Sequence, residues 1–441
     1  MSAHTTDAAS AAAYHPGSAD YDEHRAGFQL REHHRPAHVV AARSAGDVVA
    51  AVRQAAESCM PIAVQATGHG LANPLAREGV LVSTRRMDSV DIDPGAGTAR
   101  IGAGARWRDV VEAAARYGLA PLSGSMPGVG AVSYTLGGGI GLMARRYGFA
   151  ADHVTRLELV SVDGSVLTVS EHEEPDLFWA LRGGGGSFGI VTGLEMALMP
   201  VARLVGGGLV FDLGETPEAV STWLQWTAAM PSEMTSAMTT LEVSERHMAH
   251  VQIAYLGSAA EADELVAPLR ALKPAHDGLQ EIPYRRSDTV FSEPDQPHAY
   301  VGDNVLLRAI DEEHLRDAIA ASAPGRSVRS IISVRHLGGA LSTAPRVPNA
   351  VSHREAMYLL CVVGVVAPTT TSNAASARAL QDELLANWSG ATVGSSPNFT
   401  FGRPDQRAAA ELFDAERRDR LLQLARKYDP AGLLHPSFVI A

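Results

Sequence analysis

The sequence predicts a two-domain α+β protein, and three observations carry that expectation. At 441 residues the chain exceeds what one hydrophobic core organises. Through its first 200 residues, short apolar runs, amphipathic stretches and glycine-rich loops alternate. Near Pro200 the pattern changes to longer apolar strands separated by helical segments. The predicted segments are 1–200, an inserted unit over 201–394, and a tail over 395–441.

Taken in order, Ser44 and Asp47 have capping-box spacing before a helix to about Met60, with Val48, Val52, Ala55 and Cys59 on one face. PIAVQA then reads as a strand. LVSTRRMDSVDID and TARIGAG flank the turn Pro94-Gly95-Ala96-Gly97 and are expected to pair. Trp107, Val110, Val111, Ala114 and Tyr117 mark a helix that Gly118 stops. LELVSVDGSVLTVS is a hairpin around Asp163-Gly164. Beyond Pro200, VARLVGGGLVFDL, MAHVQIAYLGS, SVRSIISVRHLGG and EAMYLLCVVGVV read as strands of an antiparallel sheet. Helices begin at Thr216-Pro217 and at the Ser258/Glu261 box, and a last helical pattern runs from Pro404 through Phe413, Leu421, Leu424 and Tyr428.

A net charge of −12 with no basic run argues against a nucleic-acid partner. With 46% hydrophobic and 20% charged residues the composition is that of an ordinary globular protein. No stretch of 18 apolar residues or secretory signal pattern is expected to engage a membrane, so a cytoplasmic location is the default. The two cysteines, Cys59 and Cys361, have no metal-ligand spacing, and no metal site is expected. Cys361, inside an apolar run, reads as core.

Three glycine-rich stretches could turn backbone N–H groups toward a phosphate: Thr67-Gly68-His69-Gly70, Ser123 to Gly141, and Arg182 to Gly193. Any one of them could equally be a tight turn. The literal GxGxxG at Gly184, Gly186 and Gly189 is followed by the strand-like IVTGLEMAL rather than a helix, which argues against a nicotinamide Rossmann domain. A large phosphate-bearing cofactor held by loops accounts better for three such stretches. His69 by itself could be a turn residue, a base, a ligand or an attachment point.

The ordered segments VQATGHG, MPGVGAVSYTLGGGIGLMARRYGFAADHV, LVSVDGSVLTV, DLFWALRGGGGSFGIVTGLEMAL, HLGGALS with HREAMYLL, and KYDPAGLL resemble the FAD-linked oxidases of the vanillyl-alcohol-oxidase superfamily, most closely the berberine-bridge-enzyme-like branch. The resemblance spans essentially the whole chain. It implies a PCMH-type FAD domain, built from the N-terminal part and the C-terminal tail, around an inserted substrate domain. It also implies FAD bound covalently through His69. Gln65, Ala66, Thr67, Gly68, Gly70 and Leu71 would cradle the cofactor, with Pro127, Val129, Gly130, Gly137, Gly138, Gly139, Gly141 and Ile190 completing its bed.

Three departures stand out. Met126 occupies the position of the family's second flavin-linking cysteine, which leaves no cysteinyl link. Gln65 replaces a frequent arginine, and Ser437 an asparagine of the tail. Implied chemistry is hydride transfer from an alcohol, amine or phenolic intermediate to the flavin, with O₂ as the reoxidant and H₂O₂ as product. Val129, at a position that admits oxygen in relatives, favours an oxidase. Candidates for the base are Tyr358 first, then His336, Tyr134 and Asn398. A flavin-dependent cyclase and a flavin-binding protein without turnover remain as alternatives. A small-molecule substrate is expected, and oligomeric state is not legible.

Overall fold

In the computed structural model, the structure describes residues 12–71, 73–368, 371–401, 409–438 and 440. The first half holds two sheets. In the smaller one His38–Ala41, Val80–Ser83 and Ile62–Gln65 run parallel, with Ala13–Tyr14 added antiparallel at the edge. Helix Ala45–Glu57 makes the crossover between the first and last of these parallel strands. It starts on the expected Ser44/Asp47 capping box and buries Val48, Ala51, Val52 and Ala55 against the sheet.

The second sheet is antiparallel, in the order Val90–Asp93, Thr98–Gly102, Ile190–Ala197, Val154–Val160, Val166–Val169. Its expected hairpin turns at Gly164, where φ is +80°. Val80–Ser83 and Val90–Asp93, read from sequence as one run, belong to different sheets. Helix Trp107–Ala115 packs Trp107, Val110, Val111 and Ala114 into the large core of this half.

Residues 203–394 form a nine-stranded antiparallel sheet, in the spatial order His276–Asp277, Arg203–Asp212, Arg246–Tyr255, Met234–Val243, Ser330–His336, Tyr358–Val365, Tyr300–Leu307 and Thr392–Gly394. Gln280–Pro283 pairs alongside Arg203–Asp212. Helices Ala219–Thr227, Ala259–Arg270 and Glu312–Ala320 pack against one face, with Trp223, Val266, Leu315 and Trp388 in the shared core. The first of these begins at Ala219 rather than on Thr216-Pro217, and the second continues through Pro268. The other face of the sheet turns toward the first half.

Part of the last expected helical pattern, 402–408, lies outside the described residues. Its remainder forms Ala409–Leu412 and Ala415–Tyr428, and the Arg420 guanidinium lies 4.1 Å from the Trp179 ring centroid. Beyond it the chain returns to the parallel sheet: Ile62 N–H donates to Leu433 O (2.8 Å), and His435 N–H to Ile62 O (2.8 Å). Arg145, 5% exposed, ties the two halves together. Its Nε donates to Met234 O (2.8 Å), its Nη2 to Met230 O (3.0 Å) and Pro231 O (3.3 Å), and its Nη1 to Leu337 O. These bonds satisfy a buried charge with carbonyl dipoles rather than a carboxylate.

Among the described residues, no helix is long and apolar enough to cross a membrane, and no group of three or more His, Cys, Asp or Glu is placed to hold a metal.

Candidate functional site

Parallel strand Ile62–Gln65 ends at the sheet edge, and the chain there turns through Ala66 to Leu71. Loops beyond the carboxyl ends of parallel strands are where α/β sheets place ligands. Here the turn opens into a cavity of about 660 Å³ between the first half and the nine-stranded sheet. Gln65, Ala66, Thr67, Gly68, His69, Gly70, Leu71, Val129, Gly137 and Ile190 all line it, as do Tyr134, Asn398, Met126 and Ser437.

The turn is held from behind. Gly68 adopts φ +68°, and a Cβ there would stand 2.7 Å from Gly27 Cα, so a side chain is excluded. Phe28 N–H donates to Thr67 O (2.8 Å) and Gln29 N–H to Gly68 O (3.1 Å). Gln65 donates through Nε2 to Arg25 O (3.1 Å) and Ala26 O (3.2 Å), so it ties the turn to the segment that follows the first helix, Ala19–Arg25.

His69 is fixed on three sides. Its Nδ1 lies 2.8 Å from Thr67 Oγ1, its ring stacks on Phe28 at 4.1 Å and 11°, and Tyr300 Oη donates to its carbonyl at 2.8 Å. Burial first, then the positive charge of Arg106, lowers its pKa from 6.5 to about 3, so the ring is neutral at physiological pH. Its Nε2 is buried with no hydrogen-bond partner among the described residues, as are Gln65 Oε1, Tyr134 Oη and His435 Nε2, all on residues of this wall.

Five other sequence candidates stand behind the wall rather than on it. Pro127 O accepts Arg108 N–H (2.9 Å), and Gly130 N–H donates to Thr67 Oγ1 (3.2 Å). Gly138 and Gly139 accept the N–H groups of Ala151 (2.9 Å) and Ala150 (3.0 Å). A Cβ on Gly139, where φ is +79°, would meet Tyr134 Cε1 at 2.5 Å, and one on Gly141 would meet Ser123 O at 2.1 Å. These glycines therefore permit close packing of the segment that presents Tyr134, Gly137 and Ile140. By contrast, a Cβ on Gly70 or Gly186 would meet nothing within 4 Å, and both residues line the cavity.

Two of the four candidate bases face away from the site. In a strand, alternate side chains point to opposite faces. Leu359, Cys361 and Val363 take one face of Tyr358–Val365, with Cys361 and Val363 lining the cavity, so Tyr358 takes the other. Its hydroxyl meets Thr227 Oγ1 at 2.8 Å in the helix layer. Likewise Ile331, Ser333 and Arg335 line the cavity, whereas His336 turns inward and places Nε2 2.9 Å from Arg145 Nη1. Burial and that guanidinium lower the His336 pKa to about 3. Neither Tyr358 nor His336 reaches the cavity.

Asn398 does line it, but its Oδ1 accepts Gly139 N–H (3.1 Å) and its Nδ2 donates to Tyr134 O (3.0 Å), so it clamps the glycine segment. Tyr134 is 8% exposed, and burial raises its pKa above the ordinary phenol value, which keeps it a hydrogen-bond donor.

Sequence reading passed over Arg335, Glu293, Gln252, His250, Thr239, Ser333, Phe399 and Tyr300, all of which line the cavity. Register places His250, Thr239, Ser333, Cys361 and Asn304 opposite one another across five strands. The polar residues at alternate positions of SIISVRH were the signal available for two of them. Cys361, read as core, is buried yet on the cavity side, and burial pushes its thiol up to about 12.

A loop-built cradle with buried polar groups and glycine positions open to the cavity fits a nucleotide cofactor. Comparison with known proteins agrees. Residues 36–170 match the family model described as the FAD binding domain. The chain is 29% identical to (R)-6-hydroxynicotine oxidase of Paenarthrobacter nicotinovorans, covering 92% of this chain and 91% of that protein. It is 27% identical to the FAD-linked oxidoreductase YgaK of Bacillus subtilis, over 84% and 79% of the two chains. Among solved structures, 6-hydroxy-D-nicotine oxidase of Arthrobacter nicotinovorans superposes with a TM-score of 0.84 at 25% identity, covering 96% of each chain. The BBE-like 1 protein of Physcomitrella patens, at 20% identity and a TM-score of 0.86, shares the fold.

Fold, cradle and relatives define an FAD-dependent oxidoreductase. Within that class, the matched domain and the relatives are consistent with the vanillyl-alcohol-oxidase superfamily of FAD-linked oxidases, and the fold is shared with a berberine-bridge-enzyme-like protein.

Proposed function

We propose that the protein is an oxidase that carries FAD on His69 and removes a hydride and a proton from an alcohol, amine or phenolic substrate, with O₂ reduced to H₂O₂. The observation that carries this reading is His69 itself, a neutral imidazole on the cavity wall, stacked and hydrogen-bonded in place, with Nε2 buried and without a partner among the described residues. A neutral, unpartnered ring nitrogen keeps the lone pair that a covalent bond to carbon requires.

FAD, when bound, supplies the hydride acceptor and the site where O₂ is reduced. The protein's part is to bind, orient and keep the site dry. The 66–71 turn and Gly186 hold the cofactor, and Met126 leaves His69 as the single tether. Tyr134, on the cavity wall, keeps its hydroxyl protonated, and Asn398 positions Tyr134 and Gly139 by holding their backbones. The face carrying Thr239, Ser333 and His250 covers the substrate and receives its hydroxyl or amino proton. Val129, on the cavity wall, leaves room for oxygen. Residues 1–200 and 395–441 serve the cofactor, and 201–394 serve the substrate.

Substrate-dependent peroxide release, measured with a panel of alcohols and amines, tests the reading. Peroxide at the rate of substrate loss is expected, whereas product formation without O₂ consumption would replace it with a cyclase. Similarity to hydroxynicotine oxidase, in sequence and in structure, supports an amine or hydroxylated aromatic substrate.

A further inference from the structure

Arg335 is the only Lys or Arg among the described residues that line the cavity, and Glu293 the only Asp or Glu. The arginine is an expensive group to leave underused. Its side chain is 13% exposed, and its guanidinium carbon lies 4.5 Å from the Phe291 ring centroid and 5.0 Å from that of Phe399. Two aromatic rings therefore pack against the guanidinium and displace water from it.

Its donors are only partly satisfied. Nη2 reaches Ser125 Oγ at 3.3 Å and stands 3.7 Å from Glu293 Oε1, beyond hydrogen-bond length. Nε is buried without a partner, and Nη1 has none among the described residues. Glu293 is a loose ion-pair partner that meets the guanidinium through Ser125, with Oε1 accepting the Ser125 hydroxyl at 2.9 Å, and its side chain is 34% exposed. On the sheet, Arg335 lies opposite Ala237 and Leu359, which offer no competing acceptor side chain.

We propose that Arg335 is the anion-recognition residue of this cavity, and that the molecule oxidised there is a flat, largely apolar compound carrying one carboxylate. The proposal rests on the oxidase reading above for the word oxidised, but not for the anion site. A planar fork with unused N–H groups matches the two oxygens of a carboxylate. One cation with no second Lys or Arg nearby suits a monoanion better than a phosphate dianion. Phe291, Phe399, Phe401 and Tyr300 supply flat apolar walls for the rest of the molecule. Ser125 adjoins Met126, which packs with Phe28 and Tyr300 beside His69, so the anion would be held next to the cofactor cradle.

Binding of 4-hydroxybenzoate and of its neutral isostere 4-hydroxybenzamide to the FAD-loaded protein, followed by titration calorimetry at pH 7.5, tests this without requiring turnover. The acid is expected to bind at least tenfold more tightly than the amide, with added salt weakening only the acid. R335Q should abolish the acid's advantage while leaving amide affinity within about twofold, and R335K should retain part of it. E293Q, which removes the competing carboxylate, should strengthen acid binding further. Equal binding of acid and amide by the wild type, binding of neither, or an undiminished acid preference in R335Q would overturn the proposal. An acid preference that holds in a protein producing no peroxide would sustain the anion site and count against the oxidase reading.

Discussion

Thr67→Val removes one hydroxyl at the point where the glycine turn and the candidate tether meet. Thr67 Oγ1 accepts Gly130 N–H at 3.2 Å and contacts His69 Nδ1 at 2.8 Å, and Thr67 is 8% exposed. Valine keeps the shape but leaves the Gly130 N–H without its acceptor, which costs about 1–3 kcal/mol of stability. The His69 ring loses a hydrogen bond worth about 1 kcal/mol net. Ring orientation would then be less restricted, and a loss of about 1.4 kcal/mol in the tethering step is roughly tenfold in rate. Both effects are measurable. Urea unfolding gives the first, and the rate at which added FAD becomes acid-stable on flavin-free protein gives the second. Thr67→Ser should restore both. If Thr67→Val forms acid-stable flavin at the wild-type rate with wild-type stability, the account of how His69 is held is wrong.

Met126→Ala should leave any covalent flavin intact, because the methionine thioether offers no linking thiol; acid precipitation of the variant checks this. Arg145→Met should lower stability by about 3 kcal/mol or more, since four backbone carbonyls lose their donor across the junction of the two halves; thermal unfolding with and without FAD measures it. Stability should also fall as the pH drops. Burial holds His34 at about 4 and His336 at about 3, both below their ordinary 6.5. The unfolded chain therefore takes up protons first, and the stabilisation present above 6.5 is lost toward pH 4, by up to about 1 kcal/mol per pH unit for each group. Urea midpoints at pH 7 and 5 should differ less in the double variant H34Q/H336Q than in the wild type.

Elements whose signals are local could be read from the sequence. The Ser44/Asp47 and Ser258/Glu261 boxes, the Asp163-Gly164 hairpin and the helix from Trp107 all depend on neighbours a few residues apart. Tyr300–Leu307 was missed because Asp303 and Asn304 interrupt its apolar pattern. The Asn304 amide is satisfied in the interior by partners far along the chain: Nδ2 donates to Ser396 O (3.0 Å) and Oδ1 accepts Ser396 N–H (2.8 Å), 92 residues away.

The same limit governs the site. His69 stood out through its glycine turn and the ordered motifs around it. For Tyr358 and His336 the strands were identified correctly, but which face a strand shows the cavity depends on sheet-to-sheet packing. A shift of one position separates Tyr358 from Leu359 and His336 from Arg335, and it exchanges a packing residue for a cavity residue. Glu293 and Phe291 carry no pattern of their own, and only the strands beside them give them meaning.

The most direct test of the central claim is acid denaturation of the purified, FAD-loaded protein, with flavin absorbance read in precipitate and supernatant. The account predicts that the colour stays with the wild-type polypeptide and is released from His69→Ala. Complete release of flavin from the wild-type protein would contradict it.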